Sequence, residues 1–148
     1  MWMMRPKRDP KPRYWMRVFL NPFVHKKGNG AIVRRMARLD IFPYNKFSLG
    51  KESIIEDFSV INNGVGDVSI GGNTIIGIGC IIIGPVIIGS NVMLAQHIVM
   101  SGLNHGYENV SIPPSQQDVD CKLITVEENV WIGANAVITA GVTIGKHM

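Results

Sequence analysis

Aliphatic residues recur along this chain with a period of six. They stand at Ile70, Ile76, Ile82, Ile88, Leu94 and Met100, and again at Val126, Ile132, Ile138 and Ile144. The residue after each is mostly small, as at Gly71, Gly77, Gly89, Ala95, Ser101, Gly133 and Gly145, with Ile83 among the larger exceptions. Two positions before each aliphatic lie Val68, Thr74, Cys80, Val86, Val92 and Ile98, then Ile124, Val130, Ala136 and Val142. A weaker array comes first, at Leu49, Ile55 and Ile61, followed by Gly50, Glu56 and Asn62. Six is a multiple of two, so on an extended strand the aliphatic and the residue two before it share a face. An α-helix would rotate successive members of the series by about 240° net and scatter them. The small residue after each aliphatic fits a corner, where a missing side chain relieves crowding. Three short strands and three corners then make a coil of about 18 residues, and coils stack about 4.8 Å apart as parallel strands.

Two interruptions break the register. From Ile61 to Ile70 the spacing is nine, with Asn63, Gly64 and Gly66 in the insertion. From Met100 to Val126 it is 26, which no multiple of six matches, so a loop over about residues 102–123 leaves the stack. Asn104, His105, Gly106, Tyr107, Pro113 and Pro114 within it all suit a loop. Excursions from a rigid scaffold are where function concentrates. Ahead of the repeats, residues 11–20 and 31–39 predict short helices. In the second, Ile32, Met36 and Leu39 have helical spacing between Gly30 and Pro43.

The motif aliphatic-Gly-x-x-small-x, in thirteen copies over about residues 47–101 and 124–146, resembles the hexapeptide-repeat acyltransferases. The repeat pattern alone leaves handedness open, and parallel crossovers are normally right-handed. The resemblance implies the opposite hand: an all-β, left-handed parallel β-helix with a short, partly helical N-terminal extension. The expected division is a basic extension over residues 1–46 and a β-helix over 47–148 with its excursion loop. The repeat stops in mid-pattern at Gly145-Lys146-His147-Met148, so the β-helix is expected to be C-terminally incomplete, lacking a coil and a tail that in the family helps hold coenzyme A. The resemblance and the flat faces of a prism together imply a homotrimer.

Charge adds a second division. The net charge of +4 conceals twelve Lys/Arg against Asp9 and Asp40 up to residue 48, and three against nine acids beyond it. Such a basic arm suits weak association with an anionic surface, a phosphorylated substrate or a lipid, against the plainer alternatives of a solvated arm or one packed on its own acidic body. The arm holds Tyr14 and Trp15 but no nucleic-acid motif, and none is expected as a partner. No run of 18 apolar residues spans a membrane. Cys80 and Cys121 form no CxxC pair, Cys80 reads as core, and a cytoplasmic location is expected.

Acyl transfer to a hydroxyl needs a general base, and an imidazole, titrating near neutrality, is the natural one. Of His25, His97, His105 and His147, only His105 lies in the excursion loop, within Ser101-Gly102-Leu103-Asn104-His105-Gly106-Tyr107-Glu108. That placement resembles the family's catalytic histidine, as in the galactoside and maltose acetyltransferases. His97 points away from the prism core and is a weaker candidate for the same cleft, beside the reading of a surface side chain. Asn104, Tyr107 and Glu108 are candidates for orienting His105 or holding the acceptor. The segment Glu128-Asn129-Val130-Trp131-Ile132-Gly133-Ala134 resembles the family's coil after the catalytic loop. The resemblance places Trp131 near the acyl-donor thiol and makes the main-chain N–H of Ala134, beside Gly133, an oxyanion donor. Relatives often carry serine where Ala134 stands, so only the main-chain donor carries over. Gamma-class carbonic anhydrases share the fold and bind zinc through three histidines. Here only His97 and His105 are close in sequence, and no metal is expected.

The resulting expectation is an O-acetyltransferase that moves acetyl from acetyl-CoA, as co-substrate, to a hydroxyl of a sugar or cell-surface polysaccharide precursor. The pointer to sugars comes from the resemblance. Acetylation of an aminosugar or serine is the second reading, and a non-enzymatic or degenerate solenoid the third.

Overall fold

The structure, a computed structural model, describes residues 11–148. Three parallel sheets form the faces of a prism. The first stacks Lys26–Lys27, Phe47–Leu49, Val68–Ile70, Val86–Ile88, Ile124–Val126 and Thr143–Ile144. The second stacks Ile32–Val33, Ile54–Ile55, Ile75–Ile76, Met93–Leu94 and Trp131–Ile132. The third stacks Arg38–Asp40, Val60–Asn62, Ile81–Ile83, Val99–Ser101 and Val137–Thr139. Register follows the hexads: Ile88 pairs with Ile70 and Val126, Leu94 with Ile76 and Ile132, and Met100 with Ile82 and Ile138. All of these side chains are buried, as are Leu49, Ile55 and Ile61. The residues two before them, Cys80, Val86, Val92, Ile98, Ile124 and Val130, fill the same interior.

The corners explain the remaining hexad positions. Gly30, Glu52, Asn73, Asn91 and Asn129 have φ between 51° and 69° at the corner from the first sheet to the second. Phe58, Gly79, His97 and Asn135 have φ between 56° and 70° at the next corner. This left-handed region suits Gly and Asn and disfavours bulkier residues, so Phe58 is held there by the coils around it. At Gly79 a Cβ would also meet the His97 Nδ1 at 2.5 Å. The third corner absorbs every change in coil length. Residues 41–46 and 63–67 bulge there, and Asn63 ties the two bulges together. It accepts from the Phe42 N–H at 2.7 Å and donates to the Phe42 and Asn45 carbonyls at 3.0 Å.

The N-terminal boundary differs from the one expected. The ladders begin at Lys26, where Lys26 and Lys27 pair with Ser48 and Leu49, so residues 26–46 form one further coil. The expected helix over 31–39 is two strands, with Ile32 and Val33 beside Ile54 and Ile55, and Leu39 beside Ile61. Helical spacing of Ile32, Met36 and Leu39 loses to the next coil, whose edge supplies hydrogen bonds such as Ile32 N–H to the Ser53 carbonyl at 2.8 Å. The extension is therefore shorter than residues 1–46, and its residues 1–10 lie outside the described part. Within it, helices run over Tyr14–Phe19 and Asn21–Val24. No helix among the described residues is long and apolar enough to cross a membrane.

Candidate functional site

The excursion leaves the prism at the third corner as an antiparallel hairpin, Leu103–His105 against Val119–Cys121, with His105 opposite Val119. Its root is tight. A Cβ on Gly102 would meet the ring of Pro85 in the preceding coil at 2.7 Å. The tip folds around Gln117, whose amide donates to the Asn109 and Ile112 carbonyls at 2.9 and 3.0 Å and accepts from the Asn109 N–H. Side chains of this hairpin enclose a cleft of about 560 Å³. Asn104, His105, Tyr107 and Glu108 all line it. The imidazole of His105 is exposed and free of hydrogen bonds to other described residues.

The return strand brings residues that spacing alone does not single out. Gln117, Asp118, Asp120 and Lys122 line the same cleft, and the Lys122 ammonium lies 3.0 Å from the Asp120 carboxylate. Pairing the polar runs on either side of Pro113 and Pro114 as a hairpin was the available signal. The cleft is thus polar and mixed in charge, with one imidazole and three carboxylates. It is suited to a polyhydroxylated or cationic ligand. His97 does not line it. That residue sits at the corner between the second and third sheets, its ring stacked over Gly79. Among the described residues no cluster of His, Cys, Asp and Glu has a metal-binding arrangement.

Trp131 points outward from the second sheet and is 64% exposed. It lines a separate groove of about 420 Å³ with Glu56, Ile75, Met93, Ala95 and Gln96. Gly133 and exposed Ala134 follow at the corner beyond it. A Cβ on Gly133 would find nothing nearer than the Trp131 ring at 3.8 Å, so this corner is open to approach. Within one chain, the His105 cleft and the Trp131 groove are distinct. Cys80 is buried, its thiol directed at the Ala95 carbonyl and its pKa raised by burial, which fits a core residue.

A family model described as the hexapeptide repeat of succinyl-transferase matches residues 123–147, the coil that carries Trp131. That stretch is a hexapeptide repeat. No curated protein matches it. Among solved structures it is similar to AntD, an N-acyltransferase from Bacillus cereus in complex with dTDP and 3-hydroxybutyryl-CoA. Identity is 18%, the TM-score 0.69, and the match covers 82% of this chain and 66% of AntD. A variant of AntD in complex with dTDP-4-amino-4,6-dideoxyglucose and coenzyme A matches at 19% identity and TM-score 0.65, over 82% of this chain and 67% of that one. The hexapeptide-repeat acetyltransferase VCA0836 from Vibrio cholerae O1 biovar eltor, complexed with acetyl coenzyme A, matches at 22% identity and TM-score 0.53. There the match covers 82% of this chain and 54% of the other. The chain therefore spans just under two thirds of AntD and about half of VCA0836. At these identities the likeness establishes the fold, a left-handed β-helix.

Proposed function

We propose that this hexapeptide-repeat chain transfers an acetyl group from acetyl-CoA to a hydroxyl of a sugar or polysaccharide precursor, with His105 as general base. The observation that carries the reading is the hairpin. The prism register fails at one corner, and what emerges presents His105 in a polar cleft beside Asn104, Tyr107 and Glu108. Nε2 or Nδ1 of His105 removes the acceptor hydroxyl proton as its oxygen attacks the thioester carbon. The tetrahedral oxyanion is held by a main-chain N–H at Ala134. Collapse breaks the C–S bond, and the coenzyme A thiolate leaves and takes up a proton. The ester forms, the base is regenerated, and atoms and charge balance without a redox partner.

The donor half of this mechanism comes from a neighbouring copy. The outward side chains of the second sheet form one column in strict register, Ile32, Ile54, Ile75, Met93 and Trp131. Those of the third sheet form an apolar column, Val60, Ile81, Val99 and Val137, beside a mostly polar one, Asn62, Ile83, Ser101 and Thr139. The first sheet instead turns Lys26, Ser48, Ser69, Ile87, Thr125 and Thr143 outward. An apolar second face beside the apolar column of the third, with one largely polar face left over, favours packing of prisms around a threefold axis. A neighbour's Trp131 groove then supplies the thioester to the His105 cleft.

AntD's N-acyltransferase activity favours a second reading, acetylation of an amine on a nucleotide-linked aminosugar. The carboxylates of Glu108, Asp118 and Asp120 in the cleft fit a cationic ammonium. The test is product analysis by mass spectrometry and NMR with matched hydroxyl and amino acceptors. An ester product supports the first reading, and an amide with no ester replaces it with the second. No acetyl transfer to either class, with no coenzyme A binding, would leave the solenoid as an assembly module.

A further inference from the structure

The N-terminal cap carries a group of exposed large apolar side chains beside unpaired basic ones. In the helix Tyr14–Phe19, Met16 is the buried residue, and the following turn is tied to the prism by the Asn21 amide, which donates to the Ile41 carbonyl at 2.8 Å. At about 100° per residue, Tyr14, Val18, Trp15 and Phe19 fan across an arc of about 140°, with Met16 about 60° beyond Phe19 and Arg17 on the opposite rim. The apolar arc lies on the side of the helix away from buried Met16 and is exposed. Phe19 is 67% exposed, and the next turn adds Phe23 at 88% and the half-exposed Val24. Contiguous exposed apolar surface of this kind marks an interaction site.

Charge selects the partner. Arg13, Arg17, Lys26 and Lys27 are exposed and form no ion pair among the described residues. Beneath the helices, Arg17, Asn21, His25, Lys26 and Lys27 line a cavity of about 350 Å³ floored by Phe47. The Asn21 Oδ1 and both ring nitrogens of His25 are buried there without a partner. The rim of this cavity thus carries three cations, with an imidazole at its base, where the oxygens of a phosphate can be held. Tyrosine and tryptophan among basic residues on a helix are what the interfacial layer of a bilayer accommodates.

We propose that residues 14–27 dock this chain on an anionic lipid bilayer. The Tyr14, Trp15, Phe19 and Phe23 side chains enter the interfacial layer, and Arg17, Lys26 and Lys27 engage headgroup phosphates. The acidic prism beyond residue 48 is then turned from the surface. This assignment is independent of the acyl-transfer chemistry and is tested without it.

The test is sedimentation of the full chain with vesicles of phosphatidylcholine alone and of phosphatidylcholine mixed equally with phosphatidylglycerol. The chain should pellet with the mixed vesicles at low salt, much less with phosphatidylcholine, and return to the supernatant as salt is raised. Each basic residue near an anionic surface contributes about a fivefold gain. The triple variant Arg17→Gln, Lys26→Gln, Lys27→Gln should therefore bind about 10²-fold more weakly. The double variant Phe19→Ser, Phe23→Ser should lose binding while keeping the wild-type melting temperature, since both positions are exposed. Should that variant fold poorly, the charge variant decides. Failure of the wild-type chain to bind mixed vesicles at low salt overturns the proposal. If, in addition, Phe19→Ser, Phe23→Ser lowers the mass in light scattering, the face belongs to a second copy.

Discussion

Replacing Ile82 by alanine tests whether the hexads build this fold in the way the register implies. Ile82 is fully buried in the third sheet, stacked between Ile61 of the preceding coil and Met100 of the next, both also fully buried. Truncation removes three carbons from a site whose walls are backbone-bonded strands about 4.8 Å apart, which cannot collapse into the space. Large-to-small changes at buried isoleucines cost about 2–5 kcal/mol, and a rigid site belongs in the upper part of that range, about 3–4 kcal/mol. That is a large share of the roughly 5–15 kcal/mol that holds a domain together. The control is Ile81→Ala on the same strand, whose side chain points outward and is 36% exposed. It should cost about 1 kcal/mol or less in the isolated chain. Urea unfolding followed by circular dichroism measures both. Equal losses at Ile81 and Ile82 would refute the inward–outward alternation and, with it, the stacking of hexads into a prism.

Three further outcomes follow from particular residues. Phe58 holds φ at 62° with its ring exposed, so Phe58→Gly should raise stability, by up to about 1 kcal/mol, in thermal or urea unfolding; a loss would mean that its ring packs favourably. Burial lowers the pKa of His25 below its ordinary 6.5, so the unfolded chain binds more protons between the two values. Stability should then fall as pH drops through 6.5 toward the lowered folded value, and His25→Gln should flatten that slope; identical pH profiles of unfolding would contradict this. If the site is shared between copies, His105→Ala and Trp131→Ala proteins, each impaired alone, should regain activity when unfolded together and refolded as mixed oligomers. No recovery, with mixing demonstrated, would place both residues in one chain's site.

The prism was legible because its side chains obey one rule over many coils. Ile70 through Met100 and Val126 through Ile144 repeat without a break. The coil at residues 26–46 obeys the rule too, but Lys27 occupies an aliphatic position and Arg34 and Asp40 replace the small residues after Val33 and Leu39. This basic coil meets another coil on one side and the short helices on the other, so its sequence is freer and its signal weaker. The excursion was legible from the failed register, and with it the position of His105 outside the prism. Asp118, Asp120 and Lys122 were hidden because antiparallel pairing brings them to His105 from across the loop. The separation of His105 from Trp131 was hidden for a different reason. A period of six gives the face of a strand but not which cleft, or which copy, that face addresses.

The central claim is most directly tested by the turnover number of His105→Ala with acetyl-CoA and a panel of sugar acceptors, measured beside coenzyme A affinity and the unfolding curve. His105 lies exposed on the hairpin and supports no core contact, so the fold and coenzyme A binding should be unchanged. Removing a general base should lower kcat about 10²–10⁴-fold, whereas His97→Ala should stay within a few-fold of wild type. Wild-type turnover by His105→Ala would contradict the account and remove the hairpin from the chemistry.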